Sequence, residues 1–286
     1  MGFIGIVIVI VSVIGGYILE GGHMAILFQP VELLIIAGAG FGSLLISAPL
    51  SVLKSIMKQA LESFKGGETS KEEFTELLLL LYELCKTAKA NPMSIEAHVE
   101  TPETSDIFKR YPRLLKDHHL IAFICDTLKV QVSSPMSPYD LEELMELDMA
   151  AGHAAESNGP NTISRLGDAM PALGIVAAVL GVVITMGKLT MGKEVIGHSI
   201  AAALIGTFLG ILMSYGFFAP LSAKMESVIN EAHKLLDVSK VAILAYAKNC
   251  SPKVCVEFAR RTIPPQSRPT FADIDKATSS IGKAAA

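Results

Sequence analysis

The chain has 286 residues, 51% of them apolar and 18% Asp, Glu, Lys or Arg, and its 24 basic and 28 acidic side chains leave a formal net charge of −4. That balance excludes a disordered chain, a collagen-like repeat, a Cys-rich secreted scaffold and a strongly basic nucleic-acid binder. The cysteines, Cys85, Cys125, Cys250 and Cys255, form no CxxC pair and no zinc-ligand spacing, so they read as reduced thiols serving as small hydrophobes.

The apolar excess is concentrated in four runs. Gly2 to Leu19 carries no charged side chain, and Val31 to Leu50 carries only Glu32, at its start. Ala169 to Met186 and Ser199 to Leu221 are uncharged. A spanning helix needs about 20 mostly apolar residues, so each run predicts a transmembrane helix. The first lacks the positive leader and small-residue cleavage site of a signal peptide and reads as a retained helix. Lys and Arg number zero in 20–30 and two in 187–198, against twelve in 51–168 and ten in 222–286. The positive-inside rule therefore puts both termini and the long loop in the cytoplasm.

Within the cytoplasmic parts, Phe74, Leu77, Leu78, Leu81, Leu84 and Cys85 form a helical stripe over Lys71 to Ala90. Thr101-Pro102-Glu103 predicts a short helix ending near Pro112, and Asp117 to Val130 a further helix. Ser137-Pro138 followed by Asp140 predicts a helix start, with the helix running towards Ala155. After Pro220 the apolar period continues into a cytoplasmic helix. Leu128 to Val132 is the one weak strand candidate, and the segment from Pro264 is expected to be a loosely ordered end.

Chemical motifs are few. Gly38-Ala39-Gly40-Phe41-Gly42 resembles a phosphate loop, but it sits inside a span with no preceding strand and reads as a site of close helix approach. The seven histidines have no metal spacing, and no nucleophile–base pair is visible, so neither a catalytic site nor a cofactor or metal site is expected. The third span carries small residues on one face at Pro171, Gly174, Ala178, Gly181 and Thr185. The fourth does so at Ala203, Thr207, Gly210 and Ser214. These faces suit packing on each other or on a partner helix. No ionisable group lies in mid-span, Glu20 and Glu32 being at the interface. A cation-moving role would therefore need a carboxylate from another subunit.

Several stretches resemble the MotA family of flagellar motor stator subunits. They are Gly15-Gly16-Tyr17 before Glu20-Gly21-Gly22, and Gln29-Pro30-Val31-Glu32-Leu33 running into Gly38-Ala39-Gly40. Further along come Thr101 to Phe108 with Arg110-Tyr111-Pro112, Gly167 to Val176, Gly206-Thr207-Phe208-Leu209-Gly210 and Val256 to Arg261. In this order they cover nearly the whole chain. The resemblance implies an all-α polytopic membrane protein of the bacterial inner membrane, with no enzymatic activity. Its parts would be transmembrane helices one and two in 1–50 (periplasmic loop 20–30), a helical cytoplasmic domain in 51–168, helices three and four in 169–221 (periplasmic loop 187–198), and a cytoplasmic C-terminal helix and tail in 222–286.

It implies, too, a ring, pentameric in the family, around a peptidoglycan-anchored MotB-like dimer that carries the membrane Asp. Ion flow would turn the ring against the rotor protein FliG. By position, Pro171, Ala178 and Thr207 fall on the ion pathway, with the methyl of Ala178, where sodium-driven relatives carry Thr, implying protons. Pro220 and Glu96 fall on the torque-coupling surface. The family's partner arginine aligns with Ala88, which leaves neighbouring Lys89 as the candidate cation, without an Arg's guanidinium fork. An ExbB- or TolQ-type energiser of envelope transport and a non-conducting scaffold are the alternatives. The two-span hairpin at the start argues against the three-span layout of the former.

Overall fold

A computed structural model of the chain describes residues 2–65, 69–188, 190 and 192–284. Among these residues there is no strand, so the expected all-α class holds, and Leu128 to Val132 lies inside a helix. The chain divides into two compact units, 1–67 with 156–228 and 68–155 with 229–286.

In the first unit, α1 (Gly2–Leu19) is followed by the short α2 (Met24–Leu27), α3 (Pro30–Ser47) and the amphipathic α4 (Leu50–Lys65). The later part of α8 (Pro138–Met186), α9 (Lys193–Met213) and the start of α10 (Ala219–Ala247) complete it. Four helical runs, Gly2–Leu19, Met24–Ser47, Pro138–Met186 and Lys193–Ala247, are long and apolar enough to cross a membrane. Few of their side chains are buried within the chain, and none on α1 is. Apolar faces turned outward suit a lipid solvent, where helices satisfy their own backbone hydrogen bonds.

Two sequence expectations about helix ends change here. The helix starting at Pro138 does not stop near Ala155 but runs to Met186 with Pro160 and Pro171 inside it. Proline removes one backbone donor, and the Glu156 carbonyl that Pro160 leaves without its helical partner accepts instead from the Gln59 side-chain amide at 3.0 Å. The fourth span passes into α10 through a π-helical segment, Ser214–Phe218, directly before Pro220. A proline ring clashes with the carbonyl four residues back, and widening the turn ahead of it accommodates that clash.

The second unit is built around α5 (Lys71–Ala90), opened by a Ser70–Glu73 capping box and buried on most faces at Phe74, Leu77, Leu78, Leu80, Leu81 and Leu84. Against it pack α6 (Pro92–Glu100), α11 (Pro252–Thr262) and α12 (Phe271–Ala284), and α7 (His118–Ser133) packs on α6. Residues 101–117 form turns with two 3-10 segments, Phe108–Arg110 and Leu114–Lys116, in place of the expected short helix. They are pinned by buried Glu83, whose carboxylate accepts from Arg110 Nη1 and from the Tyr111 hydroxyl, each at 2.7 Å. Burial and that carboxylate push the Tyr111 hydroxyl well above its usual pKa. The Arg110-Tyr111 motif thus reads structurally as a clamp on α5.

The expected loose end from Pro264 is also corrected. After a short turn, α12 starts at a Thr270–Asp273 box, with backbone N–H of Asp273 donating to Thr270 Oγ1 at 3.2 Å, and it buries Ile274 and Thr278. Arg260 and Arg268 tie the approach by donating to the carbonyls of Pro269 and Ile263 at 3.0 and 2.9 Å. Arg260 and Arg261 also hold Glu257 at a pKa of about 2, far below the usual carboxylate value.

Candidate functional site

The small-residue faces of the third and fourth spans meet each other within the chain. A Cβ at position 174 would fall 2.7 Å from the Gly206 carbonyl oxygen and 3.3 Å from Thr207 Cα. One at position 210 would fall 2.5 Å from the Met170 carbonyl oxygen, and one at 181 would fall 2.8 Å from Ala203 Cβ. Only glycine permits α8 and α9 to approach this closely, which is the use of small residues in membrane helices. Gly40 serves α3 in the same way by admitting Met170 and Leu166 of α8, so the glycine-rich run is a packing feature.

This seam brings together the three residues the sequence singled out in the membrane. Ala178 lies against Gly206, where a Cβ would meet its backbone nitrogen at 3.2 Å, and Thr207 follows on the same helix. Pro171 follows Met170, whose carbonyl faces Gly210. All three are half-buried, so each keeps a face turned out of the chain. The hydroxyl of Thr207 makes no hydrogen bond among the described residues, whereas Thr185 donates to its own helix at Gly181 O, 2.7 Å away. Thr207 therefore has a donor and an acceptor available to something outside the chain.

Sequence reasoning placed Glu32 at the interface and gave it no role. The structure packs it, 8% exposed, beside the seam. A Cβ at Gly206 would lie 3.1 Å from Glu32 Oε2, and one at Gly181 would lie 3.6 Å from Oε1. Oε2 is buried without a hydrogen-bond partner. A carboxylate desolvated in this way costs free energy unless it is protonated or finds a partner, and such groups inside membranes mark functional sites. The signal lay in the sequence as a first-turn acid after Pro30; its side-chain direction did not.

The residues assigned to torque coupling are divided between the two units. Lys89, at the end of α5, and Glu96, exposed on α6, belong to the second unit; Pro220, exposed at the start of α10, belongs to the first. Pro220 lines an apolar groove of about 240 Å³ with Gly5, Phe64 and Lys224. Ala88, where the family arginine aligns, is fully buried in the core and has no room for a guanidinium. The Lys89 ammonium turns back to donate to the carbonyls of Asn249 and Cys250 at 3.0 and 2.9 Å. It thus caps the turn that follows α10, where a cation also meets the negative end of the helix. Among the described residues no group of His, Cys, Asp or Glu is placed to hold a metal ion.

Comparison with known proteins matches these features to one family. Residues 3–92 match the motility protein A N-terminal family, and residues 116–237 match the MotA/TolQ/ExbB proton channel family. The chain is 36% identical over 275 residues to motility protein A of Salmonella typhimurium, covering 96% of this chain and 93% of that protein. It is 37% identical to motility protein A of Escherichia coli over the same shares of both chains. The fold superimposes on the solved structure of C. jejuni MotAB with a TM-score of 0.76 at 20% identity, covering 94% of this chain and 98% of that one. With identity above a third over nearly its full length, the four membrane-length helices and the shared fold, the chain belongs to the motility protein A family of stator subunits and not to a family of enzymes.

Proposed function

We propose that this chain is the ring-forming subunit of a proton-driven flagellar stator in the bacterial inner membrane. Both termini and the segments 51–168 and 222–286 lie in the cytoplasm, and 20–30 and 187–198 in the periplasm, as the distribution of Lys and Arg supports. Several copies, five by the family resemblance, surround a MotB-like dimer that supplies the membrane Asp. The cytoplasmic segments push the rotor protein FliG, with Glu96, Lys89 and Pro220 as the torque-coupling residues.

The observation that carries this reading is the α8–α9 seam. Pro171, Ala178 and Thr207 lie along it half-buried, and the Thr207 hydroxyl is unengaged among the described residues. A partner carboxylate approaching this line meets a hydroxyl that can relay or orient a proton. The Ala178 methyl offers no oxygen to a dehydrated sodium ion, which favours protons as the coupling ion.

The test is complementation of a strain lacking its own stator pair with this chain and a single-span, peptidoglycan-binding MotB-like protein. Swimming speed is expected to persist in sodium-free medium and to collapse with a protonophore. Loss of speed on sodium removal with protonophore resistance would reverse the ion assignment. A complex that shows no partner-dependent proton leak would leave only a scaffold.

A further inference from the structure

Three of the four cysteines meet in one place in the second unit: Cys85 on α5, Cys255 in the first turns of α11, and Cys250 in the turn between α10 and α11. Their contact begins as a consequence of how α11 starts. Ser251 is its N-cap and Pro252 its first residue, so Cys250 and Cys255 occupy the two positions whose side chains pack as a hydrophobic staple. Any two apolar side chains would make that staple, and nothing in it requires a third thiol. Yet Cys85, from a helix far away in sequence, packs against Cys255 in one buried cluster, while the Cys255 thiol donates to the Cys250 carbonyl at 3.9 Å.

The three sulfurs are graded in access. Cys250 is half-buried, whereas Cys85 and Cys255 are 2% and 0% exposed. They are graded in character too. The neighbouring Cys85 thiol and the nearby Lys89 ammonium pull Cys255 below the ordinary thiol value, while the Cys255 sulfur and burial push Cys85 above it. The thiolate form is the nucleophile. Cys125, alone on α7 and pushed up to about 12 by burial, is the inert internal comparison.

We propose that Cys85 and Cys255 form a reversible dithiol site that hydrogen peroxide, entering beside Cys250, oxidises to a disulfide joining α5 to α11. The Cys255 thiolate sulfur attacks one peroxide oxygen, the O–O bond breaks, and the departing hydroxide takes up a proton to leave as water. Cys255 is then a sulfenic acid. The Cys85 sulfur attacks the Cys255 sulfur, the S–O bond breaks, and hydroxide leaves with the Cys85 proton as a second water. The two thiols together lose two electrons and two protons, and the peroxide gains both. A dithiol reductant reverses the step by exchange through a mixed disulfide. The link would fix α5 one turn before Lys89 and clamp the start of α11 on it. The chemistry does not depend on the proposed rotor role of that surface.

The experiment uses the full chain in native membranes. Vesicles are treated with hydrogen peroxide, free thiols are blocked with N-ethylmaleimide, and the unreduced digest is mapped by mass spectrometry. The expected result is a peptide joining Cys85 to Cys255, two hydrogens lighter than its separate halves and released by dithiothreitol. Cys125 should stay maleimide-reactive after unfolding. Cys250→Ser should keep the link and Cys85→Ala abolish it, and because the wild-type map decides the matter, a variant that fails to fold does not obscure it. Oxidation at Cys250 alone, a Cys250–Cys255 link without Cys85, or adducts between chains only would overturn the proposal.

Discussion

At the scale of single residues, the two buried carboxylates among the described residues, Glu83 and Glu32, differ in what they meet. Glu83 is 6% exposed but receives Arg110 and the Tyr111 hydroxyl, and its role is to hold a loop. Glu32 is buried to a similar degree, and its Oε2 has no partner. A structural carboxylate can usually be replaced by its amide, which keeps the shape and can hydrogen-bond. One that moves a proton cannot be replaced, because an amide does not titrate. Glu32→Gln is therefore expected to leave membrane level and partner pull-down unchanged while lowering swimming speed about a hundredfold or more, the lower end for losing a general acid or base group. Near-normal swimming of Glu32→Gln would reduce Glu32 to a packing residue. Which charges were buried was not legible in the sequence. Glu32 and Glu83 both read as polar interruptions of an apolar pattern, and only the neighbouring helix decides what each one meets.

At the scale of elements, periodicity located the long helices well, because the membrane spans and α5 carry strong apolar patterns. It failed where a different physical term decided. The helix from Pro138 was expected to end near Ala155, but packing carries it through two prolines to Met186. The turns at 101–117 carry helix-start chemistry, yet the Glu83 clamp sets their path. The helix after Pro264 was overlooked although its Thr270–Asp273 box and the spacing of Phe271, Ile274 and Thr278 were visible; the flanking Pro and Ser residues masked them. The small faces of spans three and four were read correctly, but whether they met each other needed coordinates.

That seam gives the prediction for this scale. Gly210→Val would drive a side chain onto the Met170 carbonyl oxygen and Gly174 Cα, at 2.5 and 2.9 Å from its Cβ, both on backbone that cannot yield. Overpacking of this kind costs typically about 1–3 kcal/mol. Gly216→Ala faces only the ends of the Leu212 and Val9 side chains at 3.2 Å, which can turn aside. Motility should be lost in Gly210→Val with a lowered melting temperature in detergent, and kept in Gly216→Ala. Equal tolerance of the two changes would mean that α8 and α9 do not approach this closely in the membrane.

At the scale of the whole molecule, the exposed apolar surface poses a question that composition alone left open. Ile175, Val176, Val179, Val183 and Ile184 of α8 are each at least 50% exposed on the chain, as is Leu204 of α9. Lipid tails could cover all of them, since between helices in a bilayer there is no hydrophobic driving force to choose protein over lipid. The choice follows from the residues beside them. Pro171, Ala178 and Thr207 face partly outward on the same two helices, and a partner that brings a carboxylate to them must lie against those helices. The α1 surface, exposed at Phe3 and Val11, carries none of these three residues and suits lipid. A photo-reactive benzoylphenylalanine in place of Val183 should therefore cross-link to the single-span partner or to a second copy when the pair is expressed together. The same group in place of Phe3 should give lipid adducts. Cross-links to protein from position 3 with only lipid adducts from position 183 would turn the assembly inside out and move the ion path away from the α8–α9 seam.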